Sequence, residues 1–284
     1  MFNRIEAKMQ AKASMRQTTP SPILVTLGYL LLTTGLVWLL NFVLFDPVSI
    51  VMDDILAGYT LEESLSYLIE EYSTGLIMVF VVQLLLSVYR TIMGFGYTSY
   101  ALRMARNEGP GFGNLFDGFA KFLRVLWMNI LIGLFASLWT LVATVPAVIL
   151  IVVAVMARAD LIFIFGLYWG AIIVSVAVTL IVRLRYRLAP YFLLDDPACT
   201  AREAIRRSKR AMKGWKMELF VLDLSFIGWE LLGSLTLGIL FAWVLPYQNA
   251  TEANFYDCVT GGMYPSGGSV GPDYSAFGGG PMPF

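Results

Sequence analysis

The sequence VLWMNILIGLFASLWTLVATVPAVILIVVAVM, residues 125–156, holds 32 consecutive residues without a charged side chain. A helix of about 20 apolar residues crosses the hydrocarbon core of a bilayer, so this run exceeds one perpendicular crossing. Pro146 lies within the run and predicts a kink, because proline lacks the amide hydrogen that a helix uses. Four residues later a second run, LIFIFGLYWGAIIVSVAVTLIV, covers residues 161–182. Together the two runs predict a membrane-spanning helical hairpin.

Further apolar stretches lie on both sides of this hairpin. The sequence predicts an all-α membrane protein, a bundle of about six transmembrane helices, with spans near residues 23–45, 75–100, 122–157, 161–182, 216–234 and 235–256. The last two are interpreted as separate spans because Glu230 is easier to place in an outer turn than at the bilayer centre, where a charge costs about 2.5–3.5 kcal/mol. One long span over the same region is the alternative.

The composition excludes several classes of protein. Hydrophobic residues make up 58% of the chain and charged residues only 14%, against about 25% in soluble domains. There is no histidine and there are two cysteines, so the usual metal ligands, a Ser-His triad and a disulfide scaffold are missing. Basic and acidic residues balance at 20 each, which gives no reason to expect a nucleic-acid partner. The sequence predicts no enzyme, no cofactor and no metal site.

Charge placement predicts the orientation in the membrane. Residues 1–22 carry four basic side chains, whereas residues 45–72 carry acidic side chains and no Lys or Arg. Because Lys and Arg accumulate on the cytoplasmic side, the N-terminal segment is expected inside and the acidic segment outside, as a short surface helix. With six spans in the cell membrane, both termini are expected to lie in the cytoplasm. The Gly- and Pro-rich residues 258–284 are expected to form a disordered cytoplasmic tail.

A basic amphipathic helix is predicted over residues 197–213, between the fourth and fifth spans. Asp196 can cap it, Pro197 fits its first position and Gly214 can end it. Its candidate contact residues are Arg202, Arg206, Arg207, Lys209, Arg210 and Lys213. Such an interfacial helix could bind anionic lipid headgroups at the inner leaflet or a partner protein. The alternative is that its charges only fix the topology.

Two charged residues fall inside predicted spans. Arg90 lies in the second span and Asp223 in the fifth, at similar distances from the cytoplasmic boundary. Charges inside a membrane commonly pair, which predicts an Arg90–Asp223 contact and, with it, a possible transport pathway. The alternative is that Arg90 extends to the headgroups and that Asp223 is hydrogen-bonded or neutral.

The C-terminal half, about residues 183–257, resembles the bacterial membrane family catalogued as domain of unknown function 975. The resemblance rests on Ala189–Tyr191, Asp195–Pro197, Glu203–Ile205, Met212–Gly214, Leu224–Trp229, Pro246–Tyr247 and Phe255–Asp257. It implies a bacterial multi-pass fold and carries no activity with it. A more distant likeness to the membrane domain of some glycerophosphodiester phosphodiesterases implies a lipid or envelope context.

Function is therefore predicted only in outline. The leading hypothesis is a non-enzymatic protein that organises or assists membrane lipids or other membrane proteins. The alternative is a small transporter or channel-like permease, which would need polar groups lining a cavity at the membrane midplane.

Overall fold

The structure is a computed structural model that describes residues 2–43 and 47–261, and all regular structure in these ranges is helical. In chain order the helices are α1 (Arg4–Gln17), α2 (Pro22–Leu30), α3 (Leu36–Val43), α4 (Pro47–Leu56), α5 (Leu61–Ala105), α6 (Asp117–Ala120), α7 (Phe122–Met156), α8 (Leu161–Tyr186), α9 (Ala189–Asp195), α10 (Ala201–Ala211), α11 (Lys216–Leu224), α12 (Ile227–Leu235) and α13 (Phe241–Thr260). A π-helical turn, Leu31–Gly35, joins α2 to α3, and a 3-10 turn, Phe112–Phe116, precedes α6. Most of the predicted tail, from residue 262 on, lies outside the described residues.

Four of the six predicted spans are confirmed as helices long and apolar enough to cross a membrane. They are Pro22–Val43, Ile69–Ala105, Phe122–Met156 and Leu161–Asp195. Six spans are not confirmed, because the region predicted as the fifth span forms two separate nine-residue helices, α11 and α12. Residues predicted as the sixth span belong largely to α13.

Most buried side chains gather at one end of the molecule, which we call the packed head. The head comprises residues 2–17, 92–121, 182–222 and 244–260. Helix α13 lies at its centre, and every residue from Ala250 to Asp257 is buried. Helix α1 packs along α13, where the Asn254 side chain donates a 3.0 Å hydrogen bond to the carbonyl of Ala7. This burial identifies the second half of α13 as a core helix.

The apolar hairpin, formed by α7 and α8, has the opposite character. The 18-residue apolar windows of these two spans are only 6% and 0% buried. Helix α7 continues through Pro146 as one helix, and the two helices pack mainly on each other. Large apolar side chains on all sides of a helix suit a lipid environment.

Polar contacts link the first two spans along their length. The hydroxyls of Thr26 and Tyr97 lie 2.8 Å apart, and the Gln83 amide donates to Asn41 at 2.6 Å. Between them, the Tyr89 hydroxyl donates to the carbonyl of Leu32, within the π-helical turn. Such interhelical hydrogen bonds contribute to helix association where lipid offers no polar partner.

Two local predictions need correction. The acidic residues 45–72 were predicted to hold one short surface helix. The described residues of this segment instead form α4 and the first turns of α5, because Thr60 and Glu63 make a capping box that starts α5 there. The basic helix begins at Ala201, not at residue 197, because the Thr200 hydroxyl caps it by accepting from the amide of Glu203. The Asp196 carboxylate instead accepts from the amide of Ala198, in the turn before the helix.

Candidate functional site: a basic cleft beside a buried ion-pair network

The basic side chains of the packed head divide into those with partners and those without. The partnered group begins with Arg106, at the end of α5. Its guanidinium donates to Asp195 at 2.7 and 3.0 Å and to Asp257 at 2.6 and 3.2 Å. The Tyr256 hydroxyl donates to the same Asp195 at 2.8 Å. This network ties α5, α9 and α13 together.

The Arg106 network is largely shielded from solvent. The side chains of Arg106, Asp195 and Asp257 are 17%, 5% and 13% exposed. Burial alone lowers the pKa of Arg106, but its hydrogen bonds and charge interactions with the two carboxylates raise it more, so its net pKa is above the usual value. A guanidinium that serves two carboxylates is therefore charged, and four of its five N–H donors are already used.

A second ion pair fixes α13 to the end of α8. Arg187 donates two hydrogen bonds of 2.8 Å to the carboxylate of Glu252, whose side chain is 9% exposed. The bidentate geometry satisfies a carboxylate that α13 would otherwise bury without a partner. The head thus uses two arginines to hold one central helix.

Two more cations are bound by backbone carbonyls. Lys121 donates to the carbonyl of Leu193 at 2.8 Å, near the end of α9, and Arg124 donates to that of Pro197. Burial and the nearby Arg124 lower the pKa of Lys121. These contacts neutralise the partial negative charge at a helix C-terminus. They also fasten the start of the apolar hairpin to the packed head.

The candidate functional site is a cleft lined by unpartnered cations, which we call the basic cleft. Its volume is about 690 Å³, and its lining residues are Arg185, Arg206, Lys209, Arg210, Lys213, Gly214, Lys216 and Met217. None of the six basic side chains makes an ion pair or a side-chain hydrogen bond within the described residues. Among the residues that the structure describes, no carboxylate lines the cleft. Such a site can bind an anion.

Helix α10 positions Arg206, Lys209 and Arg210 by its periodicity, and Lys213 lies in the turn that follows the helix. Arg206, Lys209, Arg210 and Lys213 follow the i, i+3, i+4, i+7 spacing of one helix face. The opposite face packs into the head through Ala204 and other buried residues. The Ser208 hydroxyl donates to the carbonyl of Arg185, which holds α10 against the end of α8. The fifth cation, Arg185, is thereby fixed beside the other four.

The sequence predicted this site in part. Four of its six candidate contact residues line the cleft, namely Arg206, Lys209, Arg210 and Lys213. Arg207 does not, since it is paired with Glu203 at 2.6 Å and with Asp196 at 3.1 Å. Arg202 is exposed outside the cleft. Arg185 and Lys216 were missed because they lie on neighbouring elements, and only their basic character pointed to them.

The structure does not bring Arg90 and Asp223 together. Arg90 is exposed and its charge acts on Tyr29, while Asp223 has Arg187, Glu252 and Glu230 as its charged neighbours. No Arg90–Asp223 ion pair occurs among the described residues. The predicted transport pathway therefore loses the pair that motivated it and stays a hypothesis from the sequence.

Several of the residues that carried the family resemblance meet in the packed head. Asp195, Tyr256 and Asp257 belong to the Arg106 network, and Tyr191 stacks on Tyr256 with ring centroids 5.0 Å apart. Their joint role is to build the core that supports the basic cleft. In the described part of the chain, no group of three or more His, Cys, Asp or Glu residues is placed to hold a metal ion.

Comparison with known proteins tests the family resemblance noted in the sequence. Neither the curated proteins nor the solved structures give a match, and the distant likeness to glycerophosphodiester phosphodiesterases is not shown. A family model does match, and it covers residues 1–262, so the agreement extends well beyond the C-terminal half in which the resemblance was noticed. The chain therefore belongs to the family described as protein of unknown function DUF975.

Proposed function

We propose that this protein is a non-enzymatic membrane protein that binds the headgroups of anionic phospholipids through the basic cleft and so organises lipids or partner proteins around it. The observation that carries the proposal is the set of six unpartnered cations in a cleft without a carboxylate. Nearby cations such as Arg106, Lys121 and Arg187 already have protein partners. A cleft that keeps its cations free calls for a mobile anion to neutralise them.

The location of the cleft supports a lipid as that anion. Arg185 lies in the last turn of α8, where an apolar span gives way to polar sequence. Met217, 67% exposed, lies at the rim of the same cleft. A headgroup at the membrane boundary can reach cations there while its acyl chains remain among apolar side chains. Each such cation contributes about 1 kcal/mol of attraction to an anionic leaflet.

The proposed orientation places the packed head in the cytoplasm of a cell, at the inner leaflet of the cell membrane. Basic residues dominate the head and acidic residues dominate α4 and the start of α5, which agrees with the preference of Lys and Arg for the cytoplasmic side. A reporter fused after Cys258 should be active inside the cell. Activity of that fusion only outside would reverse the orientation and remove the cleft from the inner leaflet.

Lipid binding can be tested on the full-length protein in a zwitterionic detergent. Added short-chain phosphatidylglycerol should raise the melting temperature as its concentration rises, because a ligand that binds only the folded state stabilises it. Phosphatidylcholine should have little effect. High salt should weaken the phosphatidylglycerol effect, since the cleft is open to solvent.

A matched pair of variants locates the binding site. Replacement of Arg206, Lys209, Arg210 and Lys213 by Gln should abolish most of the stabilisation. The control replaces four exposed arginines outside the cleft, Arg4, Arg16, Arg158 and Arg202, by Gln. Equal losses in the two variants, or equal stabilisation by phosphatidylcholine, would overturn the proposal.

A further inference from the structure

The basic cleft gathers more positive charge than a single phosphate neutralises. Six cations reach it from the last turn of α8, the second half of α10, the turn after α10 and the start of α11. A phosphodiester carries one negative charge and two free oxygens. Two or three basic side chains satisfy these oxygens. A lipid with one phosphate would leave at least three of the cations facing one another.

A second cleft in the head is lined by both basic and acidic side chains and serves as a comparison. It has a volume of about 400 Å³, and it is lined by Arg103, Arg106 and Lys121 but also by Glu108, Asp117 and Asp195. Its cations are neutralised by acidic side chains or bound by backbone carbonyls. The basic cleft is larger, at about 690 Å³, and has no acidic lining residue. The described residues therefore supply no acidic side chain to this cleft, and an anion from solution or from a lipid balances its charge.

The backbone that carries the cations is also held in place by the fold. Arg207, next to the cleft-facing Arg206, points to Glu203 and Asp196, so the α10 cations separate into a paired face and a free face. The hydrogen bond from Ser208 to the carbonyl of Arg185 joins α8 to α10 behind the cleft. A fixed backbone leaves only the side chains to lose conformational freedom when an anion binds.

We infer that the basic cleft binds a phospholipid with two phosphates, of the diphosphatidylglycerol class, in preference to lipids with one phosphate. This inference rests on the proposed function and narrows its ligand. Two phosphates joined by one glycerol carry two negative charges and four free oxygens, which match six cationic side chains better than a single phosphate does. The joined phosphates also bind as one ligand, so the second contact is intramolecular.

The test uses the full-length protein in a zwitterionic detergent and follows its melting temperature. Diphosphatidylglycerol and phosphatidylglycerol are titrated at equal phosphate concentration, so that total charge is the same. The two-phosphate lipid should reach half of its effect at a phosphate concentration lower by at least about tenfold. The double variant Arg185→Gln with Lys216→Gln should remove this preference while the protein still responds to phosphatidylglycerol. Arg4→Gln with Arg16→Gln is the matched control and should keep it.

The other outcomes distinguish a failure of the two-phosphate inference from a failure of the proposed lipid binding. Equal midpoints for the two lipids would overturn the two-phosphate inference and leave the proposed lipid binding standing. No response to either lipid would overturn both. Inorganic pyrophosphate that stabilises the protein as well as diphosphatidylglycerol does would identify a site for free anions and overturn the lipid assignment.

Discussion

The packed head and the apolar hairpin are both helical, but they differ in which side chains they bury. In the head, α13 is buried along its second half and carries Glu252, Asn254 and Asp257 into the core. In the hairpin, α7 and α8 are apolar on nearly every side and bury little beyond their mutual contact. The comparison teaches that apolar composition does not identify the core of this protein. The core forms where apolar side chains of several helices pack together and the polar side chains among them have fixed partners, whereas the most apolar helices face outward.

The largest expected effect comes from breaking the Arg106 network. Arg106→Ala would leave Asp195 and Asp257 buried without their shared partner, and we expect a loss of about 3–5 kcal/mol in the free energy of unfolding. Denaturation of the detergent-solubilised protein, followed by circular dichroism, measures this loss. The control is Arg103→Ala, whose side chain is 48% exposed and lies 3.7 Å from Asp117, with an expected loss of about 0–1 kcal/mol. Similar losses in both variants would contradict the view that the network holds the head.

An intermediate effect is expected from one methyl group in the head. A Cβ at position 96 would lie 1.8 Å from the carbonyl oxygen of Leu115, so Gly96→Ala forces the backbone segments apart. We expect a loss of about 1–3 kcal/mol. In the hairpin, Gly133 has no atom within 4 Å of such a Cβ, and Gly133→Ala should be neutral or stabilising by up to about 1 kcal/mol. Melting temperatures of the two variants compare the regions directly, and equal losses would mean that the hairpin is as tightly packed as the head.

A smaller effect is expected where two spans share a hydrogen bond. Gln83→Leu removes the 2.6 Å bond to Asn41, and we expect a loss of about 0.6 kcal/mol, since hydrogen bonds between membrane helices average near that value. Asn41→Leu with Gln83→Leu should lose no more than the single variant, because no polar group is then left alone. A loss above about 2 kcal/mol for Gln83→Leu would show that the spans contribute as much to stability as the head does.

The smallest effect is a difference in thiol reactivity within the head. Cys199 is 1% exposed and Cys258 is partly exposed, so iodoacetamide should modify Cys258 first. Burial raises the pKa of both thiols, so less thiolate is present at pH 7 and the rate should still be rising at pH 9. Mass spectrometry of the labelled peptides measures both rates, with the protein unfolded in dodecyl sulfate as reference. Faster labelling of Cys199 would mean that α10 separates readily from the head.

Some of this architecture is determined by the sequence alone. Long runs without charge have one stable environment, so residues 125–156 and 161–182 predict spanning helices whatever surrounds them. The spacing of Arg206, Lys209 and Arg210 predicted the free face of α10, because that spacing is a property of the helix itself. Lys213 fits the same spacing but lies in the turn after Ala211. The first residue of α10 was misplaced, since Asp196 and Thr200 are both acceptable caps and local sequence does not choose between them.

Only the tertiary structure decided which charged residues form ion pairs, because such pairs depend on which distant segments of the chain meet. Arg106 and Asp257 are 151 positions apart, and Arg187 and Glu252 are 65 apart, so no periodicity joins them. Helix α13 was predicted as part of a span from its apolar first half, yet its polar second half lies in the core of the head, where these arginines and α1 cover its polar residues. Arg90 and Asp223 were predicted at similar distances from the cytoplasmic boundary, but they have different neighbours. The position of a residue along a helix does not determine the direction in which its side chain points. Which cations remain free, and hence where an anion can bind, follows only after every other charge has found its partner.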